Sequence, residues 1–114
     1  MSLSPHEYIH HILDEIDYIL GQVKDLDYES FVRNPTIKRA FVRSLEIIGE
    51  ASKKIPAEVR DIQTEIEWRK VSGMRDRLIH GYFGIDYDIV WDVVVNKIPE
   101  LQQEIEDILR NEES

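Results

Sequence analysis

The sequence predicts an all-α protein, an antiparallel up-down bundle of four to five helices forming one domain over residues 1–114. Three observations lead there. Apolar residues recur at three- and four-residue steps along most of the chain, the period of a helix with one buried face. Most of these stripes open on a helix-start signal. No alternating strand pattern competes: Val93-Val94-Val95 is β-prone, but it lies inside a longer helical period. Long amphipathic helices joined by short loops pack as antiparallel neighbours.

The elements follow in order. Ser4-Pro5-His6-Glu7 combines an N-cap serine, a proline at the first helical position and a glutamate three residues after the cap. Ile9, Leu13, Ile16, Leu20 and Val23 form the stripe of a first helix running to about Asp25, widened by Tyr8, Ile12 and Ile19. Asn34-Pro35 opens a second helix with Ile37, Phe41, Leu45 and Ile48 on its apolar side, ending near Lys54. After Pro56, residues 57–63 allow a short helix. Thr64-Glu65-Ile66-Glu67 is a second capping box. It starts a third helix carrying Trp68, Val71, Met74, Leu78 and Ile79, which Gly81 and Gly84 terminate. Asp86 caps a fourth helix with Ile89, Val90, Trp91, Val93 and Val94. Pro99 either starts a fifth helix or kinks the fourth, and Ile98, Leu101, Ile105 and Ile108 carry the stripe to about Arg110. Gly49, Ala51 and Gly73 mark places of close approach. Glycine within a helix costs about 1 kcal/mol relative to alanine, so Gly73 calls for a neighbour, either another helix or a bound backbone.

Composition narrows the function classes. Cysteine is absent, which excludes a disulfide scaffold, a cysteine-ligated zinc site and a thiol nucleophile. No apolar run approaches the ~20 residues needed to span a bilayer, and no secretory leader is evident. A cytoplasmic protein without a membrane contact is the expectation. The net charge of −9 argues against a nucleic-acid partner until its distribution is considered. Residues 1–30 carry seven acids and one base, net −6; residues 86–114 carry nine acids and two bases, net −7; residues 31–85 carry eleven bases and seven acids, net +4. Over 69–80, Arg69, Lys70, Arg75 and Arg77 face Asp76 alone.

That basic stretch contains the most chemically suggestive residues, Arg75, His80 and Tyr82, at the end of the third helix. Arginine binds phosphate bidentately and stabilises charge in a transition state. Histidine moves protons near neutral pH. The pair suits RNA transesterification, in which the substrate's own 2′-hydroxyl is the nucleophile and neither metal nor cofactor is needed. Arg75 and His80 lie about 140° apart around a regular helix. Convergence on one phosphate therefore requires an unwound helix end at Gly81 or a two-fold partner contributing its own copy. Asp76, one turn before His80, can accept a hydrogen bond from the imidazole and set its tautomer, and Arg77 borders the same turn. The competing reading is surface ion pairing for Arg75 and Arg77, a dipole-favoured cation for His80, and simple packing for Tyr82.

Arg75-x4-His80-x-Tyr82 resembles the R-x4-H-x-Y motif of HEPN domains, in the HepT-type toxin branch. Arg43 to Pro56 is similar to the second-helix signature of that branch, and Glu65 to Asp86 to its third helix and following loop. Trp91 and Ile98-Pro99-Glu100-Leu101 fit as well, so the resemblance covers nearly the whole chain. It implies a homodimeric helical bundle and a metal-independent endoribonuclease whose Arg75 and His80 line a cleft between protomers. Asp76 takes the polar position after the motif arginine. Tyr82 is the hydroxyl that a cognate minimal nucleotidyltransferase antitoxin would modify with AMP, placing negative charge beside the cleft. Members of the superfamily also keep this fold as catalytically silent partner subunits, which leaves that role as the alternative.

Two weaker constellations remain. His6, His10 and Asp14 share a face of the first helix at spacings that can bind zinc or that simply form a polar face, the reading preferred here. Glu46 and Glu50 form a carboxylate pair on the second helix and are read as partners for Arg43 or Lys53.

Overall fold

A computed structural model describes residues 4–58, 68–73 and 84–113. Among them the architecture is an all-α bundle. Its helices are α1 (Pro5–Val23), α2 (Tyr28–Val32), α3 (Pro35–Lys53), α4 (Trp68–Ser72), α5 (Tyr87–Asp92) and α6 (Ile98–Glu113), with a π-helical turn at Val93–Lys97 between α5 and α6.

The expected start signals act locally as read. The Ser4 hydroxyl accepts from the Glu7 N–H, and the Glu7 carboxylate reaches back to the Ser4 N–H, which completes the capping box. The Asn34 side chain accepts from the Ile37 N–H at 3.1 Å and begins α3. The Asp86 carboxylate accepts from the N–H groups of Asp88 and Ile89 and begins α5. One helix was not anticipated. Asp27 caps a single turn, α2, by accepting from the Ser30 N–H at 2.8 Å. A five-residue helix is too short to show a period, so only its cap could have marked it.

The core runs between α1, α3 and the α5–α6 arm. Ile9, Ile12, Ile16 and Ile19 of α1 are all fully buried, whereas Leu13, Leu20 and Val23 pack at its margin. The buried stripe is thus centred on Ile12 and Ile19 more than the sequence period implied. On α3, Phe41, Val42, Leu45 and Ile48 face inward, and the buried Ser52 hydroxyl donates to the Ile48 carbonyl at 2.7 Å. Asp17, in the last third of α1, accepts from Gln102 in the second turn of α6. The end of α1 therefore lies beside the start of α6, and the two helices run antiparallel.

Pro99 neither breaks the last helix nor begins a separate one. Backbone angles stay in the right-handed helical region at Val93 and Ile98, and the Ile98 N–H bonds the Val93 carbonyl five residues back. Proline brings no N–H to the ladder, and its ring crowds the carbonyl four residues earlier. A widened turn just before Pro99 absorbs both problems while the helix continues. Val93 and Val94 stay buried through it, and Val95 faces outward.

The close approach forecast for small residues occurs at Gly49. A Cβ there would lie 3.3 Å from the Ser72 carbonyl oxygen and 3.5 Å from that of Val71, so α4 lies directly against the α3 backbone. Gly73 gives a narrower result. Among the described residues, a Cβ at Gly73 would meet only the Arg69 carbonyl of its own turn. The residues of the anticipated helices at 59–67 and 74–83, including Met74, Leu78, Ile79 and Gly81, lie outside the described residues.

Two stability outcomes follow. Gly49→Val should destabilise the chain by about 1–3 kcal/mol through overpacking, whereas Gly21→Ala, whose Cβ meets nothing, should stabilise by about 0.5–1 kcal/mol; urea unfolding of the two variants checks both signs. The exposed Asp27 carboxyl is held below its ordinary pKa, first by the Ser30 N–H and then by the Ser30 side chain. A depressed folded-state pKa contributes stability above the unfolded value and loses it as pH falls through the folded one. Asp27→Asn, which caps without titrating, should lose less stability between neutral and acid pH than the parent, as read by pH-dependent unfolding midpoints.

Candidate active site

The candidate catalytic residues Arg75 and His80, the supporting Asp76 and Arg77, and the candidate modification residue Tyr82 lie outside the described residues. What the structure describes is how the chain enters and leaves that segment. It enters from α4, where Trp68 is buried and Gly49 lets the Val71–Ser72 backbone sit against α3. The Gly73 N–H bonds the Arg69 carbonyl at 2.9 Å and closes the last described turn. It leaves through Gly84, whose φ of +89° is a left-handed conformation that costs a residue with a Cβ. Ile85 then packs against the core and Asp86 caps α5. Whether Gly81 and Gly84 end the expected third helix falls on residues outside those described.

Helix pairing sets where charge falls. The two acidic ends of the chain are remote in sequence, yet α1 packs on α6. Asp14 and Asp17 on α1, and Glu100 and Glu106 on α6, are exposed. In the basic middle α3 packs against α4, and α3 also packs on acidic α1. Arg39, Arg43 and Lys53 on α3, and Arg69 and Lys70 on α4, are all exposed. Segment 74–83 follows α4 in the chain, and exposed bases of this kind attract a polyanion over roughly a Debye length of ~8 Å at physiological salt.

An aromatic cluster joins α2, α3 and α5, and sequence reasoning singled out little of it beyond Phe41 and Trp91. Phe31 is fully buried and packs on Phe41 (5.7 Å between centroids), Trp91 (5.1 Å) and Tyr87 (6.3 Å). The Lys38 ammonium lies 4.2 Å from the Tyr87 ring centroid and donates to the Val32 carbonyl. The Tyr28 hydroxyl donates to the Asp88 carboxylate, which raises the phenol's pKa above its ordinary value, with partial burial adding to the effect. These contacts clamp α2 to the first turns of α5, directly after the segment that carries the motif. The signal available in sequence was the capped turn at Asp27 with aromatics at Tyr28 and Phe31.

Of the weaker constellations, His6 and His10 come together, with their Nε2 atoms 2.9 Å apart. Asp14 does not join them: among the described residues, no group of three or more His, Cys, Asp or Glu side chains is placed to hold a metal. Glu46 is half-buried and Glu50 exposed on α3, as a charged helix face would have them. Ser72 has a buried hydroxyl with no hydrogen-bond partner among the described residues, at the point where α4 meets α3.

Comparison with known proteins bears on this arrangement. The family model for ribonuclease HepT-like proteins matches residues 9–108, a span that includes the whole of segment 74–83. A Caldanaerobacter subterraneus subsp. tengcongensis protein named "Putative RNase TTE0752" is 46% identical over 109 residues, covering 96% of this chain and 97% of its own. The Thermococcus cleftensis protein named "Probable ribonuclease HepT" is 39% identical over 106 residues, covering 93% of this chain and 96% of its own. No solved structure matches. With an all-α bundle, a glycine-bounded segment carrying Arg75-x4-His80-x-Tyr82 and a match over residues 9–108, the chain belongs to the HepT-like ribonuclease family.

Proposed function

We propose that this chain is a metal-independent endoribonuclease that acts as a homodimer. The observation that carries the reading is the family match across residues 9–108, with the complete arginine–histidine–tyrosine motif inside it. The basic α3–α4 side supports it, because the motif segment leaves from the one part of an acidic molecule that attracts phosphate.

The chemistry proceeds through RNA's own nucleophile. The 2′-oxygen attacks the adjacent phosphorus as its proton passes to a base, and the bond from phosphorus to the 5′-oxygen breaks. The products are a 2′,3′-cyclic phosphate and a 5′-hydroxyl, the latter formed when an acid protonates the leaving oxygen. His80 is the proton-transfer residue. Arg75 holds the phosphate oxygens and stabilises the added charge. Two-fold symmetry answers the 140° offset of these side chains on a single helix, since each protomer then supplies one member of each pair to a shared cleft. Asp76 orients the imidazole, and Arg77 adds charge at the cleft edge.

Regulation falls to Tyr82. A partner nucleotidyltransferase would join the Tyr82 oxygen to the α-phosphorus of ATP, with pyrophosphate leaving. The added phosphate charge beside the cleft then repels RNA. The pair works as a toxin and its antitoxin in a cytoplasmic setting.

Purified, unmodified chain should cut RNA in EDTA and leave cyclic-phosphate ends. His80→Ala should lower the rate about 10²–10⁴-fold, and Arg75→Ala by about 10²–10³-fold, with unchanged thermal unfolding. Intact RNA after incubation with the folded parent dimer would assign the chain to the silent-partner role instead. After co-expression with the nucleotidyltransferase, the peptide containing Tyr82 should gain AMP by mass spectrometry, and Tyr82→Phe should gain none while still cutting RNA.

A further inference from the structure

The first two turns of α1 read His6-Glu7-Tyr8-Ile9-His10, an H-E-x-x-H sequence on a helix. In metalloproteases this pattern puts two imidazoles on zinc and uses the glutamate as general base. Here the glutamate is committed elsewhere. Glu7 Oε1 accepts from the Ser4 N–H at 3.5 Å and from the Ser4 hydroxyl at 3.2 Å, as the reciprocal half of the capping box. The pair is exposed at the surface, and no third ligand joins it among the described residues. Among the described residues the pattern therefore lacks the third ligand and the unengaged glutamate of a hydrolytic zinc site.

The two imidazoles nevertheless have a definite geometry. Their Nε2 atoms are 2.9 Å apart, and the rings meet edge-on at 61° with centroids 4.5 Å apart. With one ring protonated at Nε2, this contact is a hydrogen bond. With that proton displaced, both Nε2 nitrogens can ligate one ion. Imidazole suits Zn²⁺, Ni²⁺ and Cu²⁺, and the Irving–Williams order places Cu²⁺ highest among them.

We propose that His6 and His10 form a bidentate site for Cu²⁺, with water completing the equatorial plane. The site is preorganised. Ser4 and Pro5 fix the helix start, and fully buried Ile9 and Ile12 hold the opposite face of these turns in the core. Neither histidine needs to leave the surface to bind. The bound ion ties two successive turns of α1 together, so it stabilises the folded chain by mass action. The test of this site is independent of RNA cleavage.

The experiment titrates untagged full-length chain with CuCl₂ alone in a non-coordinating buffer. Wild type should bind one Cu²⁺ per chain with an axial electron paramagnetic resonance spectrum split by two imidazole nitrogens. His6→Gln and His10→Gln should each weaken binding at least tenfold, while His11→Gln binds as wild type. Saturating Cu²⁺ should raise the thermal midpoint of wild type and leave that of His10→Gln unmoved. As a measure free of variants, substoichiometric Cu²⁺ should broaden the His6 and His10 ring resonances of wild type ahead of His11. Equal Cu²⁺ affinity in wild type and both variants, or a spectrum with fewer than two nitrogens, would overturn the site. Tighter binding of Zn²⁺ than of Cu²⁺ would overturn the choice of ion.

Discussion

The bundle depends on one close approach, that of α4 to the backbone of α3 at Gly49. The space a Cβ would need is taken by the carbonyl oxygens of Val71 and Ser72. Glycine weakens a helix by about 1 kcal/mol relative to alanine, and α3 bears that penalty near its C-terminal end. In return α4 lies flush against it, with Trp68 buried beneath. The segment that begins after Gly73 inherits its starting position from this contact. A bulkier residue at 49 would push on backbone atoms, which yield far less readily than a flexible side chain.

The return path is held by different means. Gly84 adopts a left-handed φ, Ile85 packs against the core, and Asp86 starts the next helix. Tyr28 and Asp88, Phe31 and Trp91, and Lys38 over Tyr87 then bind α2 and α3 to α5. The described residues on either side of segment 74–83 are thus held by a packed backbone contact before it and an aromatic clamp after it.

Much of this was legible in sequence, for local reasons. Ser4, Asn34 and Asp86 bond backbone groups two or three residues away, so a short window contains the whole interaction. The motif was legible because Arg75, His80 and Tyr82 lie within eight consecutive residues. The α2 turn was not, since five residues carry no period. Pro99 was ambiguous for a related reason: its missing N–H demands relief, but whether the helix breaks or widens depends on packing that keeps Val94 and Ile98 buried at either end of the widened turn. Gly73 and Gly49 looked alike as small residues in helices, and only Gly49 meets another helix among the described residues.

Helix positions, their start signals, the identity of the motif residues and the basic character of the central third were determined by the sequence alone, because each rests on neighbours along the chain or on composition. Tertiary structure decided which helices meet. Packing of α1 on α6 brings together two acidic segments from opposite ends of the chain, and packing of α3 on α4 and on α1 places the basic middle against both. The physical reason is common to these pairings. Periodicity specifies that a face is apolar, whereas its partner is selected by shape and burial between residues distant in sequence.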